Sequence, residues 1–412
     1  MNFNIMKSIF NSLGSNYDLK FVLLALQQIF FANKRALTKL ERLLEEMFQG
    51  KAYLFYKGRD AIEFTLRSFD IGKNDEVITQ AFTCYAIEEA IKRTGAQPVY
   101  ADLGDDQLNP SIKTLNEALK RSKNAKAVLI QHTLGHPAQI LEIKKWCQKN
   151  NLLLIDDLAQ SLGGVDEKGD SLGTQADAVV LSFGRDKVVD AVAGGAVVFK
   201  NQQALKKAED TMSHLSTQVS KQLIIKEMLY PKITRLIRNT YDFGLGKLVH
   251  FLAKKLSLLK SPIISETKQY SAMPVAFASL ALYQFKQLDS ELKHRKHIAK
   301  IYEQNLKNIK AVKSLSDKSS IENGSNLRFA IKVKEPKNLI TYLNKHKIYL
   351  ADRWYRKAVD CGTLECDSLY QSGLCPNAEE MANTIVNLPT HQYINEDDAN
   401  RIIDILNRKY LN

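Results

Sequence analysis

A lysine and an aspartate set the chemistry open to this chain. Lys187 ends the stretch Ser182-Phe183-Gly184-Arg185-Asp186-Lys187, which follows an apolar strand predicted over Ala178 to Leu181. The Gly194-Gly195 pair and a second apolar strand, Ala196 to Phe199, come next. A lone lysine between strands is most often only solvated. Upstream, however, the segment Leu152 to Gly163 (LLLIDDLAQSLG) ends a buried-type strand in Asp156-Asp157, and Gln160 and a small-residue turn follow. Open α/β sheets bind ligands beyond the carboxyl ends of their strands, so an acid ending one strand and a lysine just after a neighbour converge there.

That pairing is what pyridoxal phosphate (PLP) chemistry requires. PLP withdraws electrons only while its ring nitrogen is protonated, and an aspartate beside the nitrogen holds that proton. At about 4 Å and an effective dielectric near 20, such a pair is worth roughly 4 kcal/mol before desolvation. The lysine bonds the cofactor and, once a substrate amine takes its place, moves the proton. Its pKa must then fall from about 10.4 toward neutrality through burial and nearby positive charge. Arg185 is near enough in sequence to supply part of that charge.

From roughly Leu54 to the C-terminus the chain resembles the DegT/StrS-type family of PLP-dependent sugar aminotransferases. Lys187 falls on the family's cofactor-bonding lysine, Asp157 on the partner of the ring nitrogen, and Gln160 on the glutamine of an Asp-Ala-Ala-Gln motif. Ser182 falls on the serine that binds the cofactor phosphate, and Gly194-Gly195 on the family's glycine pair. Gly58 opens a turn feeding a helix, where free N–H groups and the helix dipole favour an anion. The family follows this glycine with Thr or Ser; here Arg59 and Asp60 follow, Arg59 suited to the phosphate and Asp60 to an N-cap. Where the family puts a ring-stacking aromatic there is Cys84, so Tyr85 or Phe82 is expected to stack. His132, in a His-x-x-Gly-x-Pro turn, is expected to be structural or adjacent to cofactor and substrate. Arg353, Trp354 and Tyr355 replace a His-Tyr-Pro near the substrate. The family's Asn-x-Arg-Met, whose asparagine reaches the partner subunit's phosphate, is replaced by Tyr270-Ser271-Ala272-Met273. Arg59 and Arg185 are therefore expected to make the phosphate site more self-contained.

The resemblance implies PLP-dependent transferase fold type I: a large three-layer α/β/α domain with a mainly parallel sheet and a smaller C-terminal α/β domain. It implies a homodimer that moves an amino group, by analogy from glutamate, to a ketosugar, nucleotide-linked, in surface-glycan or secondary-metabolite biosynthesis. Alternatives are another PLP reaction, although the family's sugar dehydratases carry histidine in place of the lysine, or a non-catalytic binding or scaffold protein derived from the fold.

The 412 residues suffice for a large and a small domain, and the 45% apolar and 25% charged fractions are ordinary for a soluble protein. No apolar run approaches the roughly 18 residues of a membrane span. With no signal peptide evident and five scattered cysteines, a cytoplasmic protein is expected. Cys361, Cys366 and Cys375 lack CxxC spacing, so no metal site is expected. Residues 1–50 read as helix, 51–268 as the large domain and 269–412 as the small domain. Of the net charge of +13, about half arises between Asn201 and Lys268, where twelve basic residues face five acidic ones. This region includes a helical insertion at about 209–268 with an apolar stripe of Leu245, Leu248, Val249, Leu252, Leu256 and Leu259. The stripe is expected to pack on the protein, over the active-site mouth, or to touch an anionic membrane surface; nucleic acid is not an expected partner.

Overall fold

The structure is a computed structural model describing residues 7–213, 219–259, 270–350, 354–362 and 367–411. Seven strands form the central sheet: β2 (Lys51–Phe55), β3 (Glu76–Gln80), β4 (Gln97–Ala101), β5 (Ala125–Gln131), β6 (Leu153–Asp157), β7 (Ala178–Ser182) and β8 (Gly195–Phe199). Their order is β2-β8-β7-β6-β5-β3-β4. Only β8 runs against its neighbours, pairing antiparallel with both β2 and β7. Helices cover both faces, so the central strands are apolar along their length rather than alternating; every residue of β8 is buried.

The register gathers the chemistry at one end. Asp157, the last residue of β6, lies opposite Val180 of β7, and Ser182 ends β7 opposite Gly195. Gly195 also faces Phe55 at the end of β2. From there Lys57 leads into the Gly58–Ser68 helix. A Cβ on Gly195 would lie 2.5 Å from the Lys57 carbonyl oxygen and 2.6 Å from Gly58 Cα; one on Gly58 would lie 2.9 Å from Ser182 Cβ. Glycine at both positions is what lets the helix N-terminus sit directly on the ends of β7 and β8.

The C-terminal part holds a three-stranded antiparallel sheet, β9 (Lys313–Ser314), β10 (Arg328–Lys332) and β12 (Ile385–Pro389), in the order β12-β10-β9. A separate apolar core including Ile298, Tyr302, Phe329, Leu339, Val386 and Leu406 lies beneath it. This supports a proposed boundary near residue 268, although the Val275–Phe285 helix packs into the core of the large sheet.

The described part of the N-terminal segment, residues 7–50, departs from the all-helical expectation. The helices Leu19–Gln28 and Arg35–Phe48 form, the first capped by Asp18 through Phe21 N–H. Ahead of them β1 (Ile9–Phe10) pairs in parallel with β11 (Ile348–Tyr349), and Ile9 joins the C-terminal core. Two residues are too few to show strand periodicity in a sequence. The N-terminal segment thus ties the two parts of the chain together. Cys361 is disulfide-bonded, and Cys84, Cys147 and Cys375 are free.

Candidate active site

Beyond the ends of β6, β7 and β2 lies a cavity of about 330 Å³, within the usual range for small-molecule sites. Of the residues singled out from sequence, Lys187, Asp157, Gly58, Arg59, Cys84, Ser182, Arg185, Trp354 and Tyr355 line it. Gln160 sits just behind: its amide oxygen accepts from Leu134 N–H at 2.6 Å and its Nε2 donates to the Tyr355 hydroxyl. Gln131, which also lines the cavity, donates to the same hydroxyl at 3.3 Å and accepts from Thr83 Oγ1 at 2.8 Å. Tyr355 is thereby fixed by two amides that the sequence leaves 29 residues apart.

Three expected residues lie elsewhere. Asp60 is fully buried within the first turn of its helix; the N-cap position falls to Lys57, and Asp60 faces Arg93 at 3.6 Å instead of the cavity. Tyr85 turns outward, donating to Asp367 and accepting from Lys92 at 3.4 Å, while Phe82 packs edge-on against Tyr355, so neither supplies an aromatic wall to the cavity. His132 is buried with both ring nitrogens engaged, Nε2 with Asp156 at 2.6 Å and Nδ1 accepting from Ala138 N–H at 2.9 Å, which leaves none for a substrate. Arg353 lies outside the described residues.

The electrostatics favour proton chemistry. Burial holds the Lys187 ammonium below the usual lysine range. The cation that adds to this effect is Arg328; Arg185 is instead bound to the buried Glu227. Lys187 Nζ lies 4.8 Å from the Trp354 ring centroid, and the Arg328 guanidinium 5.6 Å from the same ring. Burial likewise pushes Asp157 up to about 6, only partly offset by the N–H of Ala159, at 2.9 Å, and the Lys187 charge. A buried carboxylate held up in this way gains most from a cationic N–H placed beside it.

The lysine loop is braced from a distance. Asp190 is buried, pushed up to about 7, and accepts from Tyr17 Oη at 2.7 Å and the N–H groups of Asp186 and Val192 at 2.8 and 2.9 Å. Asn16 Nδ2 donates to the Lys187 carbonyl at 2.9 Å, and Arg295 holds Asn16 Oδ1 at 2.9 Å. Asp186 and Val192 adopt φ of 64° and 71°, a conformation such cross-bracing can hold against its intrinsic cost. Nothing in the sequence signals Asn16 or Tyr17, since the contact spans over 170 residues.

Also in the cavity lining, Arg59 is paired with Glu89 and Arg185 with Glu227; the Arg185 guanidinium also stacks 3.7 Å over Tyr230. Both arginines are therefore neutralised where anion binding was expected of them. Lys57, which sequence reasoning passes over, lines the cavity beside Gly58 and makes no ion pair among the described residues. Its closest ring contact is Tyr56, 4.5 Å away, and burial lowers its pKa. The helix N-terminus, the Ser182 hydroxyl and this ammonium together have the donors and charge that suit an anion.

A lysine, a buried acid and an anion-suited helix N-terminus, set at one end of a mainly parallel sheet, are the arrangement of a PLP-dependent enzyme of fold type I. The profile of the DegT/DnrJ/EryC1/StrS aminotransferase family matches residues 16–248 and 264–407, and the chain belongs to that family of PLP-dependent aminotransferases. A UDP-N-acetyl-3-dehydro-alpha-D-glucosamine 3-aminotransferase of Acidithiobacillus ferrooxidans is 33% identical over 39% of this chain and 43% of its own length. A dTDP-3-amino-3,6-dideoxy-alpha-D-galactopyranose transaminase of Aneurinibacillus thermoaerophilus is 23% identical over 85% of this chain and 83% of its own. A Bacillus subtilis structure with the bound cofactor PMP superposes with a TM-score of 0.73 at 19% identity, over 100% of this chain and 87% of that one.

Where the family's asparagine and arginine would stand, Tyr270 packs edge-on against Phe55 and Phe64 in this chain's own core. Tyr56 N–H donates to the Ser271 carbonyl at 2.8 Å and Met273 N–H to that of Leu54 at 3.2 Å. The segment extends the sheet beside β2, and Tyr270 faces inward, toward its own subunit's core.

Proposed function

We propose that the enzyme aminates a nucleotide-linked ketosugar in the cytoplasm, as a homodimer, with glutamate as amino donor. The observation that carries this reading is the single cavity that unites Lys187, Asp157, Ser182 and Gly58. The names of the two sugar aminotransferase relatives support the substrate class. Bound there, PLP would supply the electron-withdrawing ring; the remaining work belongs to the chain. Lys187 takes and returns a proton at Nζ, for which its lowered pKa suits it. Asp157 would hold the proton of the ring nitrogen. Ser182, the Gly58 turn and Lys57 would hold the phosphate. Trp354 and Tyr355 border the space left for the sugar, the tyrosine held by Gln131 and Gln160.

The test is the visible absorbance of the PLP-loaded protein before and after glutamate, followed by incubation with a panel of nucleotide-linked ketosugars. Glutamate is expected to bleach the yellow band and one ketosugar to restore it. A band that no amino acid bleaches would overturn the amino-transfer reading. A separate titration checks the phosphate cradle. Lys57→Gln is expected to weaken PLP binding about tenfold, the loss of one charged hydrogen bond of roughly 1.5 kcal/mol, read by quenching of intrinsic fluorescence. Unchanged affinity would place the phosphate away from Lys57.

A further inference from the structure

Among the described residues, none from the insertion lines the cavity. The Lys221–Thr240 helix packs on the Leu19–Gln28 helix and sends Glu227 and Tyr230 to Arg185 behind the cavity wall. The Leu245–Lys255 helix packs in turn on Lys221–Thr240. It does so through its small residues. Gly246 and Ala253 are buried, and a Cβ on Gly246 would lie 2.3 Å from the Ile237 carbonyl oxygen. With the small face turned inward, the large apolar residues face out: Leu248 is 55% exposed, Phe251 64% and Leu256 67%, with Phe243, Leu245 and Leu252 also exposed. Of the stripe read from the sequence, only Leu259 packs against the main core. The expectation of a packed stripe is therefore reversed for most of its length.

We infer that this helix docks the enzyme on an anionic lipid surface. The exposed apolar residues recur at helical spacing on one short element, which makes a continuous face of the kind that marks an interaction site. Lys247, Lys254 and Lys255 are exposed on the same helix, and the only ionisable acid within its flanking turn, Asp242, is already held by Ser8 and Lys347. Apolar side chains flanked by lysines match acyl chains below anionic headgroups. A second copy fits poorly, since a two-fold contact through this short face would bring two sets of lysines together. The close seat of Gly246 on the neighbouring helix keeps the face rigidly presented. That neighbour also carries Glu227, so docking would seat the bilayer next to the element that buttresses the cavity.

The experiment is flotation of the full PLP-loaded chain with vesicles of phosphatidylcholine alone or mixed with phosphatidylglycerol, at low and high salt. Binding is expected only with phosphatidylglycerol. Replacing Lys247, Lys254 and Lys255 with Gln should reduce partitioning on the order of 100-fold at low salt. Leu248→Ser with Phe251→Ser should abolish it, with the PLP absorbance unchanged as evidence of an intact fold. Absence of binding to phosphatidylglycerol vesicles at low salt overturns the proposal. So does a serine variant that becomes a smaller oligomer by light scattering, which would assign the face to another copy of the chain. Neither result bears on amino transfer, which is read separately by absorbance.

Discussion

Lys187→Ala should lower turnover on the order of 10⁴-fold or more, since covalent attachment and proton transfer are lost together. The visible band of the PLP-loaded protein should vanish while PLP still binds, because the cradle of Lys57, Ser182 and the Gly58 turn is untouched. The fold should not suffer. The Lys187 ammonium makes no ion pair among the described residues and only approaches the Trp354 ring, at 4.8 Å. Its pKa is lowered by burial in the folded state, so its charged form opposes folding and its removal leaves stability equal or higher. Absorbance, rapid single-turnover mixing with glutamate and thermal melting read the three expectations. A variant within about tenfold of the parent turnover would move the proton transfer to another base.

The end of the sheet that gathers Asp157, Ser182 and Lys187 is legible in the sequence because β-strand chemistry is local. Three apolar strands, a terminal acid and a lysine in a short loop fix Asp157, Ser182 and Lys187 relative to one another once the strands are adjacent and in register. The glycines were legible as a turn, although their reason is a close crossing of backbone segments 137 residues apart in sequence, Gly58 and Gly195. What was hidden is whatever depends on a partner far along the chain. Arg59 and Arg185 read as phosphate ligands because Glu89 and Glu227 cannot be assigned to them from the sequence. Lys57 gives no signal for the complementary reason, since its value lies in the carboxylate it does not meet.

The same limit explains the insertion. Its apolar stripe at helical period is correctly read as an amphipathic helix, and the period cannot say which face is inside. Gly246 and Ala253 decide that, because small residues allow two helix backbones to approach and leave the larger side chains outside. His132 shows the reverse case. Its type suggests chemistry, and its two buried hydrogen bonds, to Asp156 and from Ala138, spend that chemistry on holding the turn after β5.

Asp157→Asn should separate stability from catalysis. The Asp157 carboxyl is pushed from 3.8 up to about 6 by burial, so the folded apo-protein binds a proton that the unfolded chain has released across that interval. Its stability therefore falls as pH rises from about 4 to 6 and stays lowered above, by on the order of 3 kcal/mol from this group at about 1.4 kcal/mol per pH unit. Asparagine keeps an oxygen for the Ala159 N–H and carries no charge. The apo-variant should then match the parent near pH 4 and exceed it at pH 8 in denaturant midpoint. With PLP bound the order should reverse: the carboxylate would gain a cationic N–H, worth roughly 4 kcal/mol at about 4 Å, which asparagine would forfeit. Turnover should fall about 10³-fold, and PLP should no longer stabilise the variant as it does the parent. A variant that loses turnover without the apo-stability gain at pH 8 would mean that Asp157 is not the buried, proton-holding acid the geometry makes it. The measurement thus joins the one strand end that the sequence announces to the desolvation that only the fold supplies.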